Sequence, residues 1–386
     1  PPRQFCSCFV LSCYSGDAAV IEDRNKRPVM EENRQRLSIE EKNQGPVADK
    51  VNLRALALDA LMEINEGGEY SHYVLRALLG KYRELEKNRR SFLQRLVEGT
   101  LERQIELDHI INSYSSVRVE KQKPLIRNLL RMGVYQLKYM DGVPDSAVCS
   151  EAVKLARRRG FAKLSGFVNG VLRKIAREGC RVSLPDAKAH RAEYLGIRYS
   201  MPLWIVEQWL GQYGEEHTGR MLHSLLEEHP LVIRTNLLKT TPGELQRRLK
   251  EEGLQAKPLR EPPYAFELRG VDTLDALGSF RDGWFYVQDI GSMLVAEWAL
   301  AGWMDSQGIK SLDSLQQALY VIDVCAAPGG KSTHLAELLG EHGFVEARDL
   351  TEYKAGLLRE NIASHGLSNM EAVVMDATVH DAASVG

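Results

Sequence analysis

The stretch Val321–Thr333 reads V-I-D-V-C-A-A-P-G-G-K-S-T, and it decides the fold of the C-terminal third of the chain. A β-branched apolar run closed by an acid leads into small residues with Pro328-Gly329-Gly330, and then into the helical pattern Lys331–Leu339. This order predicts a strand, a tight turn and a helix whose first free amides face the end of the strand. The spacing matches neither the phosphate-binding G-x-x-x-x-G-K-[ST] nor the dinucleotide-binding G-x-G-x-x-G. The pattern alone therefore leaves two interpretations open, a nucleotide-like ligand or a purely structural turn.

Two acids follow at the positions where a nucleotide-binding sheet needs them. An acid that accepts hydrogen bonds from ribose hydroxyls is expected roughly 20 residues beyond the glycine turn. Asp349, in G-F-V-E-A-R-D-L-T, closes the second predicted strand at that distance, and Asp376 closes the third, Met370–Asp376. We therefore expect three strand ends with polar groups along one edge of the sheet.

The wording D-V-C-A-A-P-G-G-K-S-T-H closely resembles motif I of the RNA cytosine-C5 methyltransferases of the Sun/Fmu (RsmB) and Nop2 group. The resemblance implies a Rossmann-like domain that binds S-adenosyl-L-methionine and modifies 16S ribosomal RNA of the small subunit. It also implies that Asp376, in D-A-T, contacts adenine and that Lys331 reaches the target base. The expected cofactor-binding residues are Cys325, Ala326, Ala327, Pro328, Gly329, Gly330, Lys331, Asp349 and Asp376.

The composition of the chain limits the class of protein that carries these motifs. A chain of 386 residues is too long for one ordinary core, so two or three domains are expected. An apolar content of 44% and a charged content of 26% indicate a soluble globular protein. Six cysteines without framework spacing favour a reducing compartment, and no run approaches the ~20 apolar residues that span a membrane. We expect a cytoplasmic protein that is a monomer when full length.

Residues 1–49 lack the helical and strand-like patterns of the rest of the chain. Cys6, Cys8 and Cys13 have no histidine near them before His72, so they cannot complete a local four-ligand zinc site, and no metal is expected. The segment is predicted to be a disordered or non-native leader, with Met30 as a plausible start.

From residue 50 to about 180 the apolar residues recur at helical spacing, which predicts an all-helical domain. Two of its segments, E-A-V-K-L-A-R-R-R-G and F-V-N-G-V-L-R, resemble the RNA-binding antitermination factor NusB. Gly166, Asn169 and Gly170 are interpreted as packing and turn positions. The predicted helices are Leu53–Ile64, Tyr73–Tyr82, Ser91–Glu106, Leu107–Tyr114, Lys123–Met140, Ala147–Arg159 and Gly166–Ile175.

The end of this domain, Glu151–Gly179, carries many cations and only two acids, Glu151 and Glu178. Such a run is often a solvated face, but its density also fits a phosphate-binding footprint. The predicted RNA-binding residues of this run are Lys154, Arg157, Arg158, Arg159, Lys163, Arg173, Lys174 and Arg177.

Residues 181–284 alternate helical and strand-like patterns, which predicts a small α+β middle domain, and residues 285–386 form the N-terminal part of the methyltransferase domain. R-T-N (Arg234–Asn236) and F-Y-V-Q-D (Phe285–Asp289) also resemble the wording of the family. Arg234 either touches RNA phosphate or pairs with a neighbouring acid, and we include it among the predicted RNA-binding residues. Asp305–Gln317 departs from the family by a longer polar stretch.

The chemistry that the resemblance implies needs a thiolate, because cytosine C5 is a poor nucleophile until a cysteine adds to C6. In the resembled enzymes that cysteine lies in a Thr-Cys pair, with a second one in a Pro-Cys-Ser-Gly loop. Neither motif occurs among the 386 residues. We therefore expect a truncated methyltransferase that is inactive by itself and whose first strand is an open edge. The alternative is a non-catalytic NusB-like RNA-binding protein with a vestigial cofactor half-domain.

Overall fold

The computed structural model describes residues 9–12, 51–227, 230–271 and 273–379. The chain divides into two compact units, residues 30–228 and residues 229–386 together with residues 1–29. The helices up to Ser224 belong to the first unit, and the domain boundaries at residues 181 and 285 stay predictions.

The first unit, called here the helical unit, is all-helical over its described residues, as the sequence predicts. Pro124 opens its central helix at a position where the missing amide costs no intrahelical bond. Asn52 caps the first helix by accepting from the Ala55 amide at 3.0 Å. The helices are α1 (Leu53–Asn65), α2 (Ser71–Lys81), α3 (Lys87–Glu102), α4 (Gln104–Tyr114), α5 (Pro124–Tyr139), α6 (Asp145–Arg158), α7 (Ser165–Arg177), α8 (Arg191–Arg198) and α9 (Leu203–Ser224), which is interrupted at Gly214.

The core of the helical unit is built around α5 and is mainly apolar, although α5 also buries Asn128, Arg131 and Gln136. A Cβ atom at Gly99 of α3 would lie 2.0 Å from the Tyr135 hydroxyl oxygen of α5, so only glycine permits this close helix crossing. The fully buried core residues of this unit include Leu58, Leu61, Leu93, Leu96, Leu107, Ile110, Ile111 and Leu129.

The outer face of α7 corrects one sequence-based interpretation. Gly166 and Gly170 are exposed, and a Cβ atom at either would meet no atom within 4 Å. Asn169 accepts a hydrogen bond from Arg173 at 3.1 Å on the same face. The interpretation of these three residues as packing and turn positions is therefore wrong, because the helix buries its opposite face, with Val168, Val171, Leu172 and Ile175.

The second unit begins with a four-stranded antiparallel sheet in the order β3-β4-β2-β5. Its first helix starts with a complete capping box between Thr241 and Glu244, which satisfies the free amides there. The elements are β2 (Leu231–Thr235), α10 (Pro242–Glu251), β3 (Gln255–Pro258), β4 (Ala265–Arg269), α11 (Gly278–Arg281) and β5 (Phe285–Val287).

A second sheet contains the sequence motif. Strands β6, β7 and β8 run parallel, with Val321 opposite Val345 and Val345 opposite Met370. This confirms the Rossmann-like arrangement of strand, helix and strand. The elements are α12 (Ile290–Gln307), β6 (Leu319–Asp323), α13 (Gly330–Leu339), β7 (Gly343–Asp349), α14 (Glu352–His365) and β8 (Met370–Val374).

The outer edge of β6 differs from the sequence-based expectation. Strand β1 (Phe9–Ser12) pairs with β6 in antiparallel register, with Val10 opposite Ile322. The expected open edge is therefore occupied, and at least four residues of the predicted disordered leader form a strand. The remaining residues of that segment, with Cys6, Cys8 and Cys13, lie outside the described residues.

The connection between α13 and β7 is held by one side chain. The Asn369 amide nitrogen donates to the carbonyl oxygens of Ala336, Gly340 and Gly343 at 2.9, 2.8 and 3.1 Å. The polar stretch at 305–317 is less regular, since α12 extends to Gln307 and only a short 3₁₀ turn follows. No helix in the described ranges is both long and apolar enough to cross a bilayer.

Candidate functional site

The glycine turn joins β6 to α13 at the carboxyl end of the parallel sheet. Asp323, the last residue of β6, is buried and accepts from the Cys325 amide at 3.2 Å and from the Ser332 hydroxyl at 2.6 Å. Burial raises the pKa of Asp323, and these two hydrogen bonds oppose the shift. Asp323 therefore fixes both ends of the turn and does not face solvent as a binding group.

The two glycines of the turn are needed for different physical reasons. Gly329 has a φ of 115°, in the left-handed region, and a Cβ atom there would lie 3.0 Å from a Leu358 methyl. Gly330 opens α13, and a Cβ atom there would lie 3.3 Å from the Tyr286 ring. Glycine at these two positions therefore lets Leu358 and Tyr286 pack directly against the main chain where α13 begins.

Asp349 ends β7 beside this turn. Its carboxylate accepts from the Ala327 amide at 3.0 Å, from the Leu350 amide at 2.8 Å and from the Lys354 ammonium at 2.9 Å. Burial works to raise the pKa of Asp349, but the hydrogen bonds from Lys354 and the two amides hold it below its usual range. The structure thus brings Asp349 into direct contact with the residues of the turn.

Asp376 follows β8 and is exposed. It accepts from the Thr378 amide at 2.9 Å and from the Thr378 hydroxyl at 2.7 Å, and these bonds lower its pKa. The Met375 amide donates to the Asp349 carbonyl at 2.9 Å, so the ends of β7 and β8 are adjacent. The three predicted strand ends lie at one edge of the sheet.

The remaining predicted residues of the turn differ in accessibility. Ala326 is buried and Cys325 is exposed, while Lys331, the second residue of α13, is half-buried. The Pro328 carbonyl accepts from the Asn361 amide at 2.6 Å, and the same nitrogen lies 3.2 Å from the Tyr286 hydroxyl. Tyr286 and Asn361 therefore support the turn from behind, which sequence reasoning did not anticipate.

A buried polar cluster, called here the polar junction, links the antiparallel sheet to α13. Arg234 of β2 is only 1% exposed and forms an ion pair with Glu337. It also donates to the Gln288 side chain at 2.7 Å and to the Thr333 hydroxyl at 3.1 Å. The assignment of Arg234 to RNA contact is therefore wrong, because the acid pairing uses its guanidinium and no surface remains for phosphate. Burial raises the pKa of Glu337, and Arg234 opposes that shift.

A second set of polar groups adjoins the polar junction. The Tyr264 hydroxyl donates to Glu297 and lies 3.1 Å from His334 Nε2. Burial lowers the pKa of His334 to about 3, and the charge of Arg234 acts in the same direction. His334 is therefore neutral. We interpret its contacts with Tyr264 as structural support for α13. In the sequence, only the resemblance of F-Y-V-Q-D to the family indicated that Tyr286 and Gln288 could lie near the site.

The predicted RNA-binding cations of α6 and α7 all lie at the surface of the helical unit, as does Lys163 between these helices. Several contact acids: Lys154 pairs with Glu151 at 2.7 Å and Arg159 with Asp59 at 2.6 Å. Arg157 lies 3.4 Å from the Ser165 hydroxyl. These cations are thus all exposed but differ in their partners. Across the described ranges, no three His, Cys, Asp or Glu side chains converge in a way that would hold a metal.

Three family models match the chain. The NusB family matches residues 51–177, a ferredoxin-like domain of RsmF/B-type methyltransferases matches residues 201–272, and 16S rRNA methyltransferase RsmB/F matches residues 311–386.

Similar proteins carry related names. The probable ribosomal RNA small subunit methyltransferase B of Bacillus subtilis (strain 168) is 34% identical over 330 residues, which cover 85% of this chain and 69% of that protein. The corresponding protein of Synechocystis sp. is 31% identical and is covered to 70%. The crystal structure of PH0851 superposes with a TM-score of 0.64 at 22% identity over 85% of this chain and 70% of that one, which shows a shared fold.

Proposed function

We propose that this chain, which belongs to the ribosomal RNA small subunit methyltransferase B family, binds S-adenosylmethionine at the glycine turn for C5 methylation of a cytosine in small-subunit ribosomal RNA. The observation that carries the proposal is the hydrogen bond between the Ala327 amide and Asp349, which joins the turn to the acid of the next strand. When bound, the cofactor supplies the methyl group.

The residues of the site fit a nucleoside. The turn exposes Cys325 and Pro328 at the carboxyl end of the sheet, and the exposed Asp376 offers a carboxylate at the same edge. A carboxylate has about four acceptor positions, and Asp349 uses three of them. Because the Lys354 side chain is 50% exposed, it can leave and free an acceptor for a ribose hydroxyl. In this proposal the Lys354 ammonium takes the position on Asp349 that a ribose hydroxyl takes when the cofactor binds.

Calorimetric titration with S-adenosylmethionine tests this assignment. Asp349→Ala should weaken binding by about 1–3 kcal/mol, because charge-assisted hydrogen bonds to ribose are lost. Asp349→Asn keeps the shape of the side chain and separates the loss of charge from a distortion of the turn. Glu360→Ala, at an exposed position of α14, is the matched control and should change nothing. Unchanged affinity in Asp349→Ala would remove this residue from the site.

Lys331 is proposed to act on the target base. Its position after the glycines puts a half-buried ammonium at the start of α13, where it interacts electrostatically with Asp289 and Asp323. In a member of this family that carries the Thr-Cys pair, the equivalent of Lys331→Met should lower turnover much more than cofactor affinity. Equal losses in both quantities would make Lys331 a binding residue.

A non-catalytic RNA-binding protein is the second candidate. It is favoured by the match of residues 51–177 to the NusB family and by the exposed cations of α6 and α7. Among the described cysteines, Cys149 and Cys180 are buried and Cys325 belongs to the turn. We expect residues 1–386 to transfer no labelled methyl group from S-adenosylmethionine to 16S ribosomal RNA, and a chain that also contains both cysteine motifs to transfer it. Transfer by the 386-residue chain would show that a cysteine outside both motifs acts as the nucleophile, and Cys325 is the exposed one among the described cysteines.

A further inference from the structure

One face of α7 exposes a stripe of residues that the apolar core does not use. Its members recur at the spacing of a single helical face and are, in order, Gly166, Asn169, Gly170, Arg173, Lys174 and Arg177. The two glycines have open space where a Cβ would point. Glycine is a poorer helix former than alanine, so packing within this unit gives no reason for two of them here.

The C-terminal part of the stripe, from Gly170 to Arg177, forms one wall of a groove of about 620 Å³. The opposite wall comes from the start of α6, with Asp145, Ser146 and Cys149. Arg173, Lys174 and Arg177 line the groove against a single lining acid, Asp145. The groove is therefore a locally cationic surface on a chain whose formal net charge is −2.

The three groove cations keep most of their charge available for a ligand. Arg173 donates to the neutral Asn169 side chain at 3.1 Å, and the Lys174 ammonium lies 5.6 Å from the centre of the Tyr114 ring. Arg177 approaches Glu178 at 3.6 Å, but both side chains are well exposed, so this pair is weak. Lys154 and Arg159, outside the groove, form closer pairs with Glu151 and Asp59.

We propose that this groove binds the sugar–phosphate backbone of RNA, with the glycines of α7 admitting the backbone close to the helix. The proposal rests on the proposed function, since RNA is the substrate there, and it names the surface that holds the RNA. Phosphate contacts by lysine and arginine dominate the affinity of RNA-binding proteins and make it depend on salt. A bare helix face between cations suits a regular polyanionic backbone.

Anisotropy titrations of the 386-residue chain with a labelled 16S ribosomal RNA fragment test the groove. The pair Arg173→Glu and Lys174→Glu should weaken binding about ten-fold or more and lower the slope of log affinity against log salt by about 2. The matched control, Lys81→Glu with Arg83→Glu, makes the same charge change at exposed positions of the helical unit outside both the groove and the predicted RNA-binding run. It should have less than about one third of that effect. Circular dichroism checks that both variants fold.

Two further variants should change RNA affinity or melting temperature in ways that damage to the fold would not. Asp145→Asn should raise RNA affinity about two-fold, since it removes the acid of the groove. Gly170→Ala should raise the melting temperature while it lowers RNA affinity, because the added methyl group stabilises the helix but obstructs the RNA backbone.

The outcomes separate this inference from the function on which it rests. Equal losses in the groove pair and the control pair would overturn the groove and leave a diffuse RNA-binding face. No RNA binding by the unmodified chain would also overturn it, while titration with S-adenosylmethionine decides the cofactor site independently. Equal affinity for RNA and poly-glutamate would overturn it in favour of an acidic protein partner.

Discussion

The core of the helical unit and the polar junction of the second unit are both closed to water, but they hold their elements together by different means. Around α5 most contacts are between apolar side chains such as Leu129 and Leu130 at 0% exposure, and polar contacts such as the Arg131–Asp108 pair are the minority. Between the antiparallel sheet and α13 the contacts are an ion pair and two hydrogen bonds of Arg234. Apolar contacts are not directional, whereas each bond of the junction requires one particular partner at one position.

This difference predicts which amino-acid substitutions each region tolerates. A well-packed apolar core accepts swaps that conserve volume and loses stability in proportion to the cavity that a truncation leaves. A buried charge pair is sensitive to the loss of one partner and far less to the replacement of both. The polar junction therefore fixes the position of α13 more than it adds free energy of unfolding.

The largest effect should come from removing one member of the buried pair. Arg234→Met leaves Glu337 without its counter-charge and should cost about 3–5 kcal/mol in the unfolding free energy of the second unit. Because burial already raises the pKa of Glu337, the unpaired acid protonates more readily at low pH, and the loss should be smaller at pH 6 than at pH 8. Hydrogen exchange followed by mass spectrometry reports each unit separately.

The control for that prediction is the double variant Arg234→Met with Glu337→Leu, which should recover most of the loss. A double variant as unstable as the single one would mean that the ion pair itself stabilises the fold, contrary to our comparison. Cofactor affinity should still fall in the double variant, because α13 is no longer fixed in place.

Truncation in the helical unit should have the next largest effect. Leu96→Ala removes a fully buried side chain and should cost about 2–5 kcal/mol, the usual range for a leucine that leaves a cavity. Leu96→Met conserves volume and should cost less than about 1.5 kcal/mol. Denaturant unfolding by circular dichroism measures both, and equal losses would contradict the picture of a non-directional core.

Acid should affect the second unit through His365, which is 4% exposed with Nδ1 at 2.8 Å from the Asn361 carbonyl. Burial lowers the pKa of His365 to about 4, against opposition from that hydrogen bond. The unfolded chain therefore binds more protons between about pH 6.5 and 4, so stability falls as the pH drops through this window. His365→Phe should reduce the loss between pH 7 and 5.5 by about 1 kcal/mol. An identical pH profile in the two proteins would exclude His365 as the titrating group.

The smallest effect should come from an exposed counterpart of the buried pair. Asp59 and Arg159 lie 2.6 Å apart, with side chains that are 51% and 38% exposed. Asp59→Asn should change the free energy of unfolding by less than about 1 kcal/mol, and less still in high salt. A loss above about 2 kcal/mol in urea unfolding would show that this pair is shielded from water.

The strand ends were predictable because their signals are local. Asp349 and Asp376 follow apolar runs that sequence alone marks as strands, and parallel strands bring their carboxyl ends to one edge. The outcome for Arg234 was not predictable, since its partner Glu337 is 103 residues away in the chain and nothing local distinguishes phosphate from carboxylate. Long-range pairing of this kind depends on how two sheets pack.

The glycines of α7 show a second limit of prediction from sequence alone. The spacing of Gly166 and Gly170 puts them on one helix face, but the sequence does not state whether that face is inside or outside. Small residues are common at close helix contacts, so packing was a reasonable interpretation. The neighbours at the same spacing, Arg173 and Arg177, were the overlooked signal, because charged side chains on that face indicate solvent.

Asn369 has a consequence for protein engineering. Because its single amide nitrogen serves three carbonyls of the α13–β7 connection, the length of that connection is fixed by a side chain beyond the next helix. One inserted residue between Gly340 and Gly343 would move at least one carbonyl out of reach and shift the register of β7, with Asp349 at its far end. The exposed residues 305–308 and 316–318 carry no such restraint from Asn369. They are the place to insert an affinity tag or a fluorophore without disturbing the glycine turn.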